Sequence, residues 1–490
     1  YHWGYHVVIA AAMQLSGVSL VPTILWSGQA LNALQALVAA ALAAYLWRKP
    51  LPGVVAAIVV GLLSIMPAYY VSWGRYTQLT GLLLLPSLMI AWHSGLRAPT
   101  RARMLCLAVL LAGLSLIHFR VLMFALAFVA ASGGVWLYLS GRSGLWARVR
   151  FGAFAAALSL VLSAPWLWVI AQRTLLPAIS RPSNLVPPES YSALTPGLLW
   201  AGHNRILIAL ALAAALWGVA RRKPSAVELV VWVAAMALMA NPVLVGLPYF
   251  WLITNDVFVI SLFLPVGVLL GGGTSALLEK LQLLVADNRR RSTHGEAQKL
   301  TIEDRKSGMG MRSSIFRSTS PSRRRLAVGG VALALLGAIA VWGAFDLRRV
   351  INPGTVLATR ADLAAITWAA EHTPPDARFL IGATPWLGSY RGVDGGWWLL
   401  PLAGRWVSTP PVLFVYGAPE YVGETRATSK FVSSFRAGQE QQLLQLIERE
   451  QITYVYLSKR SAPLPADLFA NNPAFVKVYE RDDVTILAIH

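Results

Sequence analysis

The feature that most constrains this chain is a series of apolar runs about as long as a bilayer is thick. A spanning helix needs about 20 predominantly apolar residues. The break at His118-Phe119-Arg120 divides one long stretch into two runs. The runs lie at 22–47, 52–72, 76–95, 104–118, 120–140, 151–171, 197–219, 226–246, 252–276 and 326–346. We therefore predict a mostly α-helical, polytopic membrane protein with about ten spans.

Composition agrees with a membrane protein and excludes several other classes. Hydrophobic residues make up 56% of the chain and charged residues 13%, against typical globular values of about 45–50% and about 25%. The net charge of +20 comes from Lys and Arg in short clusters between apolar runs, which argues against a nucleic-acid-binding protein. The single cysteine, Cys106, excludes an intrachain disulfide.

Basic clusters between the runs predict the orientation of the chain. An even number of membrane crossings separates each basic cluster from the next, so all of them lie on the same side of the membrane. The positive-inside rule makes that side cytoplasmic. The clusters are Arg48-Lys49, Arg97/Arg101/Arg103, Arg142/Arg148/Arg150 and Arg221-Arg222-Lys223. Residues 277–325, rich in Ser and Arg, fall on the same side, and we predict a disordered basic cytoplasmic loop.

The last run divides the chain into two domains, 1–346 and 347–490. The first is the transmembrane domain, and its residues 1–17 are too short to span and predict an interfacial helix. The second has charged residues throughout and alternating patterns, which predict a small extracytoplasmic α/β domain. Its predicted elements are helices at 361–371 and 439–450, strands at 378–381 and 452–457, and a closing hairpin of 475–479 with 484–489.

Three arginines lie at ends of runs that the charge bias places on the outer side of the membrane: Arg75, Arg120 and Arg205. Snorkelling to lipid headgroups explains any one of them, but the positive-inside bias does not explain three on the outer side. Guanidinium groups match phosphate oxygens bidentately, so the group predicts a pocket for a lipid-linked phosphate. His118 is either an acid/base group of this pocket or an ordinary interfacial histidine. The predicted lipid-phosphate or substrate-binding residues are Arg75, His118, Arg120, His203, Asn204 and Arg205.

Carboxylates are scarce on the predicted outer side of the membrane. Asp256 and Glu189 are the only ones before Asp346, and they are weak candidates for a general base or a metal ligand. Asp256 also fits a helix cap or an arginine partner. The sequence contains no HExxH, GxSxG, Walker A or CxxC motif, so no soluble-enzyme chemistry is indicated.

A glycine- and tryptophan-rich motif, Gly392-Val393-Asp394-Gly395-Gly396-Trp397-Trp398, stands out in the tail. Paired glycines beside paired tryptophans predict a tight turn that presents aromatic faces, as a sugar-stacking surface needs. Asp394, Trp397 and Trp398 are the candidate sugar or acceptor surface. Tryptophans that belong to the core or contact the membrane are the alternative interpretation.

The order of these parts resembles the GT-C glycosyltransferases, membrane enzymes that use polyprenyl-phosphate-linked sugars. The segment YHWGYHVVIAAAMQLSG at 1–17 looks like the juxtamembrane helix that follows their first outer loop. Residues 361–386 with DGGWW at 394–398 look like tails of bacterial membrane proteins of this layout, and are similar to the WWDYG region of oligosaccharyltransferases, although here the Asp precedes the Trp pair.

The resemblance implies a bacterial cytoplasmic-membrane enzyme that passes a sugar from a polyprenyl-phosphate donor to an extracytoplasmic acceptor. The chain opens at Tyr1 without methionine or a basic n-region, so we expect a fragment or a processed product. The family's main catalytic carboxylate follows its first helix, and Tyr1 lies after that point, so this helix and its acid are either truncated away or never existed. We assign no catalytic residue from the family. A divalent metal, Mg²⁺ or Mn²⁺, stays open. The alternative is a non-enzymatic membrane component of polysaccharide or lipid assembly or transport.

Overall fold

The chain forms two compact units, Tyr1–Ile351 and Asn352–His490. A computed structural model describes residues 3–141, 143–176, 193–247, 253–284, 323–351, 356–386, 388–461, 463–464, 466–470 and 472–490. Unit 1 is helical, and unit 2 combines helices with two small sheets. Both the helical membrane region and the α/β domain predicted from the sequence are therefore present.

Unit 1 is a bundle of helices that coincide with the ten apolar runs. Its helices are α1 Gly4–Ser16, α2 Leu20–Trp47, α3 Pro50–Ile58, α4 Ala68–Ser72, α5 Tyr76–Arg97, α6 Arg101–Ile117, α7 Phe119–Ser140, α8 Leu145–Ile170, α9 Pro196–Trp200, α10 Asn204–Ala220, α11 Pro224–Ala240, α12 Asn255–Leu284 and α13 Arg323–Asp346. Among the described residues, seven helical segments are long and apolar enough to cross a membrane, and α10 and α11 are shorter apolar helices. The multi-pass membrane fold is confirmed.

Several helix boundaries differ from the apolar runs for local reasons. The run at 226–246 ends as a helix at Ala240, because Pro242 has no N–H to continue it. The run at 197–219 is interrupted by a turn at residues 201–203, between α9 and α10. Helix α12 continues to Leu284, and Arg323 begins α13, so both described ends of the predicted loop 277–325 are helical. Its other residues lie outside the described part.

The run at 52–72 is helical but not continuous. Helix α3 passes into a π-turn at Val59–Leu63, where Ser64 N donates to Val59 O at 2.8 Å. Ser64 is extended, and α4 begins four residues later. Such i→i+5 turns are frequent at functional sites. The break places polar groups of residues 64–75 beside the ends of other helices.

Close helix packing holds unit 1 together. At Gly95 of α5, a Cβ would overlap the ring of Phe151 on α8. Polar ties cross the bundle as well: Gln35 donates to Leu79 O at 2.7 Å, and Trp232 donates to Phe124 O at 2.8 Å. Small residues let helices approach closely in membranes, where packing and hydrogen bonds replace the hydrophobic effect as the driving force.

Unit 2 is built on a five-stranded mixed sheet in the order β4-β1-β5-β7-β6. Strand β1 is parallel to β4 and β5, and β7 is antiparallel to β5 and β6. Strands β2 and β3 form a separate antiparallel hairpin. The strands are β1 Arg378–Leu380, β2 Ala383–Trp386, β3 Ser389–Gly392, β4 Trp406–Val407, β5 Tyr454–Ser458, β6 Phe475–Arg481 and β7 Val484–Ile489.

Each face of this sheet has its own apolar core. Phe379 and Tyr456 point into one core, which includes residues of the helix Arg360–His372, and Leu380 and Val455 point into the other. This alternation along the strands is the period of two that half-buried strands require. The helices of unit 2 are α14 Arg360–His372, α15 Leu399–Ala403, α16 Pro419–Ser433, α17 Glu440–Arg449 and α18 Ala466–Ala470.

Candidate functional site

One end of the unit 1 bundle collects most of the polar residues predicted from the sequence, beginning with Arg75 at the start of α5. Arg75 Nη1 donates to Gln78 Oε1 at 3.4 Å, and its Cζ lies 4.9 Å from the centre of the Trp73 ring. The buried Gln78 donates to the hydroxyl of Tyr70 at 3.3 Å. An aromatic face and an amide oxygen both stabilise a guanidinium in a partly desolvated position. We refer to this end of the bundle as the Arg75 end.

His118 forms the break between α6 and α7. Its backbone is extended, and its Nδ1 accepts a 3.4 Å hydrogen bond from Val121 N, which caps α7. The side chain is 7% exposed and packs beside Gly81 of α5, where a Cβ would lie 3.2 Å from His118 Cβ. Gly81 is six residues from Arg75, about 9 Å along the helix axis. Helix α5 thus brings His118 and Arg75 to the same end of the bundle.

Arg120 lies two residues after His118, in the first turn of α7. Its Cζ is 5.6 Å from the centre of the Phe119 ring. The Nε atom is buried and has no hydrogen-bond partner. A buried donor without a partner costs about 1–3 kcal/mol, and more for a charged group, so this atom calls for an explanation. An anionic ligand at the Arg75 end would provide one.

His203 and Asn204 lie at the start of α10 and reach two other elements. His203 Nε2 is 2.8 Å from Asp346 Oδ2 at the end of α13, and the His203 ring lies 4.3 Å from that of Trp342. Asn204 Oδ1 accepts a 3.3 Å hydrogen bond from Ser64 Oγ in the segment that leads to Arg75. The pairing of His203 with Asp346 was not predicted, because 143 residues separate them along the chain.

A small cavity of about 20 Å³ lies beside this contact. Ser64 and Asn204 are polar residues of its wall, and Leu198, Leu207 and Phe263 are among the apolar ones. A space of this size holds about one water molecule. The cavity is thus too small for a sugar or a phosphate in this conformation.

Arg205, the third predicted arginine, is placed differently. Its side chain is exposed on α10. This position suits snorkelling to headgroups. The structure therefore connects Arg75, His118 and Arg120 through α5 and α7, whereas Arg205 lies exposed on a different helix.

Of the two carboxylate candidates, the structure describes Asp256 and leaves out Glu189. Asp256 lies in the first turn of α12, where its negative charge interacts favourably with the N-terminal end of the helix dipole. Its Oδ1 accepts a 2.7 Å hydrogen bond from the Thr195 hydroxyl. Glu189 lies outside the described residues. Across the described part of the chain, no three His, Cys, Asp or Glu side chains form a group that could hold a metal ion. No mechanistic step is therefore assigned to a metal here.

A further polar pair inside unit 1 was not predicted. His93 Nε2 on α5 lies 3.1 Å from Glu228 Oε1 on α11, and both side chains are largely buried. His93 Nδ1 and Glu228 Oε2 are buried without hydrogen-bond partners. A lone Glu near a basic cluster gives no signal for such a pair, because only the folded bundle brings α5 against α11.

In unit 2, Asp394 is fully buried, so it cannot line a surface as predicted. Its Oδ2 accepts hydrogen bonds from Ser458 at 2.7 Å and from Ser461 at 2.5 Å, and its Oδ1 accepts from Gly396 N at 3.0 Å. Burial raises the pKa of the Asp394 carboxyl above its ordinary value, against the opposite effect of these hydrogen bonds. Asp394 instead holds the turn that carries the two tryptophans.

The paired glycines of this motif are required by close packing. A Cβ at Gly395 would overlap the carboxylate of Asp362, and one at Gly396 would lie 2.8 Å from the Tyr456 ring. Tyr456 donates to Asp362 Oδ1 at 2.7 Å, and burial together with the Asp362 charge raises the pKa of the Tyr456 hydroxyl. The predicted tight turn is therefore present, and it rests on a buried polar network.

The two predicted tryptophans differ in exposure. Trp398 is 39% exposed. Trp397 is half-buried, its Nε1 is buried without a hydrogen-bond partner, and its ring stands edge-on to Trp386 with 6.5 Å between centres. Trp386 is itself 38% exposed. Trp386 was not predicted from the sequence, although it lies just eight residues before Asp394, the start of the DGGWW motif.

The fold of this chain has counterparts among solved structures. The fold is similar to that of ArnT from Cupriavidus metallidurans bound to undecaprenyl phosphate, with a TM-score of 0.53, 13% sequence identity and coverage of 98% of this chain and 86% of that chain. The apo state of the same protein gives a TM-score of 0.55, 12% identity and coverage of 99% and 87%. No curated protein matches this chain.

This similarity confirms the fold that the resemblance to the GT-C glycosyltransferases implied. The chain belongs to DUF6541, a family of unknown function whose model matches residues 1–485.

Proposed function

We propose that this protein is a bacterial inner-membrane glycosyltransferase that moves a sugar from a polyprenyl-phosphate-linked donor to an extracytoplasmic acceptor. The observation that carries the proposal is the buried, unpartnered Nε of Arg120. Arg120 lies two residues after His118, on the helix that packs against α5. One solved relative in fold, ArnT, is bound to undecaprenyl phosphate. A phosphate at this end of the bundle would satisfy the orphaned donor.

The chemistry follows from these positions. The acceptor hydroxyl displaces the polyprenyl phosphate at the anomeric carbon of the donor sugar. Arg120 and Arg75 stabilise the negative charge that the phosphate gains on departure, and fixed cationic donors of this kind supply a large share of a typical rate enhancement. The acceptor proton needs a base, and the described candidates are Asp256 and His203, which Asp346 orients.

The non-enzymatic alternative, a membrane component of polysaccharide or lipid assembly, is favoured by one observation. Arg205 is exposed, as a headgroup contact outside any pocket would be, whereas Arg120 Nε is buried. This alternative predicts that Arg120 and Arg205 contribute equally to lipid binding.

A photocrosslinking experiment separates these two functions. The full chain in detergent is labelled with a diazirine-bearing polyprenyl phosphate, and labelling is measured against probe concentration. We expect Arg120→Ala to need about tenfold more probe, since a hydrogen bond to a charged group contributes about 1.5–3 kcal/mol.

Arg205→Ala is the matched control, because it removes an arginine near the same end of the bundle. It should label like the unmodified protein, and size-exclusion profiles should show that both variants are folded. Equal labelling of the Arg120→Ala variant and the parent would overturn the phosphate site. Labelling that falls equally in both variants would support the non-enzymatic alternative.

A further inference from the structure

The hairpin of β2 and β3 in unit 2 has one face with an exposed aromatic ring and an unused hydroxyl. Trp386 and Ser389 are directly opposite each other in the antiparallel register, and opposed residues project from the same face. Thr384 and Arg391 form the next pair on that face. Trp386 is 38% exposed, whereas Ser389 is 7% exposed. The face therefore offers an indole surface with a shielded hydroxyl next to it.

Two hydrogen-bonding groups at this place have no partner. Ser389 Oγ and Trp397 Nε1 are both buried without a hydrogen bond. They are neighbours of the same ring, since Trp386 is the register partner of Ser389 and stands edge-on to Trp397. Buried tryptophan N–H groups usually find a partner, and a buried donor left without one destabilises the fold. Two such groups around one exposed indole indicate a ligand that carries hydroxyls.

Elsewhere the same region of unit 2 satisfies its polar groups. The carboxylate of Asp394 accepts from two serines and a backbone amide, and that of Asp362 accepts from Tyr456, Arg460 and Thr359. Among the described residues of unit 2, the buried side-chain atoms without a hydrogen-bond partner are Ser389 Oγ and Trp397 Nε1. This contrast argues for a local function rather than for generally poor packing.

We propose that the β2–β3 hairpin and the Gly395–Trp398 turn form a saccharide-binding site. A pyranose ring places its apolar C–H face on the indole of Trp386, and its hydroxyl groups hydrogen-bond with Ser389 Oγ and Trp397 Nε1. Trp386 is a surface side chain, and a change of its rotamer upon binding opens both donors to the sugar. The binding claim rests on unit 2 alone. The view that this sugar belongs to the acceptor rests on the proposed transferase function.

Saturation-transfer NMR on the full chain tests the proposal. The protein is prepared in a sugar-free detergent, and the probes are the methyl pyranosides of glucose, galactose and mannose. We expect transfer to at least one of them, strongest at protons of the face that contacts Trp386. Trp386→Ala should weaken binding about tenfold. Ser389→Ala should weaken binding severalfold, with little change in the shape of the site.

Trp406→Ala is the matched control, because Trp406 is 51% exposed on β4 of the same unit. It should bind the probe like the parent protein. Absence of transfer to all three pyranosides, or the same loss in Trp406→Ala as in Trp386→Ala, would overturn the site. Arg120→Ala should leave saccharide binding unchanged, so failure of the phosphate site and failure of this site can be told apart.

Discussion

At the scale of single residues, the partners of a side chain decide its role more than its type does. Arg120 and Arg205 read alike in the sequence, as arginines at the ends of apolar runs. In the structure one has a buried Nε without a partner and the other is exposed. Residue type and position predicted the candidates, but which of them share a site depends on contacts between helices that are distant in sequence.

Asp394 illustrates the same limit in unit 2. The DGGWW pattern correctly predicts a tight turn, because glycine pairs allow close approach of the backbone. The pattern does not show that Ser458 and Ser461, more than 60 residues later, bind the carboxylate and turn it inward. Long-range partners of this kind leave no local signal.

The buried Asp394 carboxyl predicts a pH dependence of stability. Its pKa is raised in the folded state, so between the unfolded value of about 3.9 and the folded value the folded protein holds a proton that the unfolded chain has released. Stability from this group is therefore highest at acid pH and falls as pH rises through that window. The free energy of opening of unit 2, measured by hydrogen exchange corrected for intrinsic rates, should show this fall.

Asp394→Asn removes the titrating group and should flatten that part of the pH profile. The exposed Asp376 serves as the control, and Asp376→Asn should retain the slope of the parent. A profile for Asp394→Asn that still falls in the same window would contradict the assignment.

At the scale of elements, apolar length predicts the helices well and their interruptions poorly. Every apolar run is helical because a segment in lipid must satisfy its own backbone hydrogen bonds. The π-turn at Val59–Leu63 and the turn at residues 201–203 sit inside equally apolar sequence. These two interruptions depend on the packing of neighbouring segments, which the local sequence does not show. The hairpin of β2 and β3 was missed for a related reason, since its strands have four residues each, too few for a clear alternation.

Packing between α5 and α8 depends on a glycine. A Cβ at Gly95 would overlap the Phe151 ring, so Gly95→Ala should force the two helices apart and cost about 1–3 kcal/mol. The expected result is a lower thermal unfolding midpoint in detergent. Gly134 on α7 has open space around it, and Gly134→Ala should leave the midpoint unchanged or raise it slightly. Equal midpoints for the two variants would contradict the packing argument.

At the scale of the whole molecule, the sequence predicted both the class of fold and its division into a helical and an α/β part. Bilayer thickness sets the length of a spanning helix, so the spans can be predicted from one sequence without homologues. Under the proposed function, the choice of donor and acceptor depends on a few contacts at sites such as the Arg75 end, which apolar lengths do not encode. Orientation remains a prediction from the distribution of Lys and Arg.

Cysteine labelling tests the predicted orientation directly. Cys106 is the single native cysteine, so Cys106→Ser provides a background without thiols. In that background Glu424→Cys, in unit 2, should react with a membrane-impermeant maleimide in intact cells. Arg221→Cys, at the end of α10, should react after the membrane is permeabilised. The reverse pattern would show that the positive-inside assignment is wrong.

The brevity of α10 and α11 has a consequence for the surrounding lipid. Each helix has 17 residues, about 26 Å at 1.5 Å per residue, against a hydrocarbon core of about 30 Å. Bilayers respond to hydrophobic mismatch of this kind by thinning around the short segment. The two leaflets should therefore dip toward each other beside these helices. Under the proposed function, this would lower the headgroup of a carrier lipid toward His203 and Asn204.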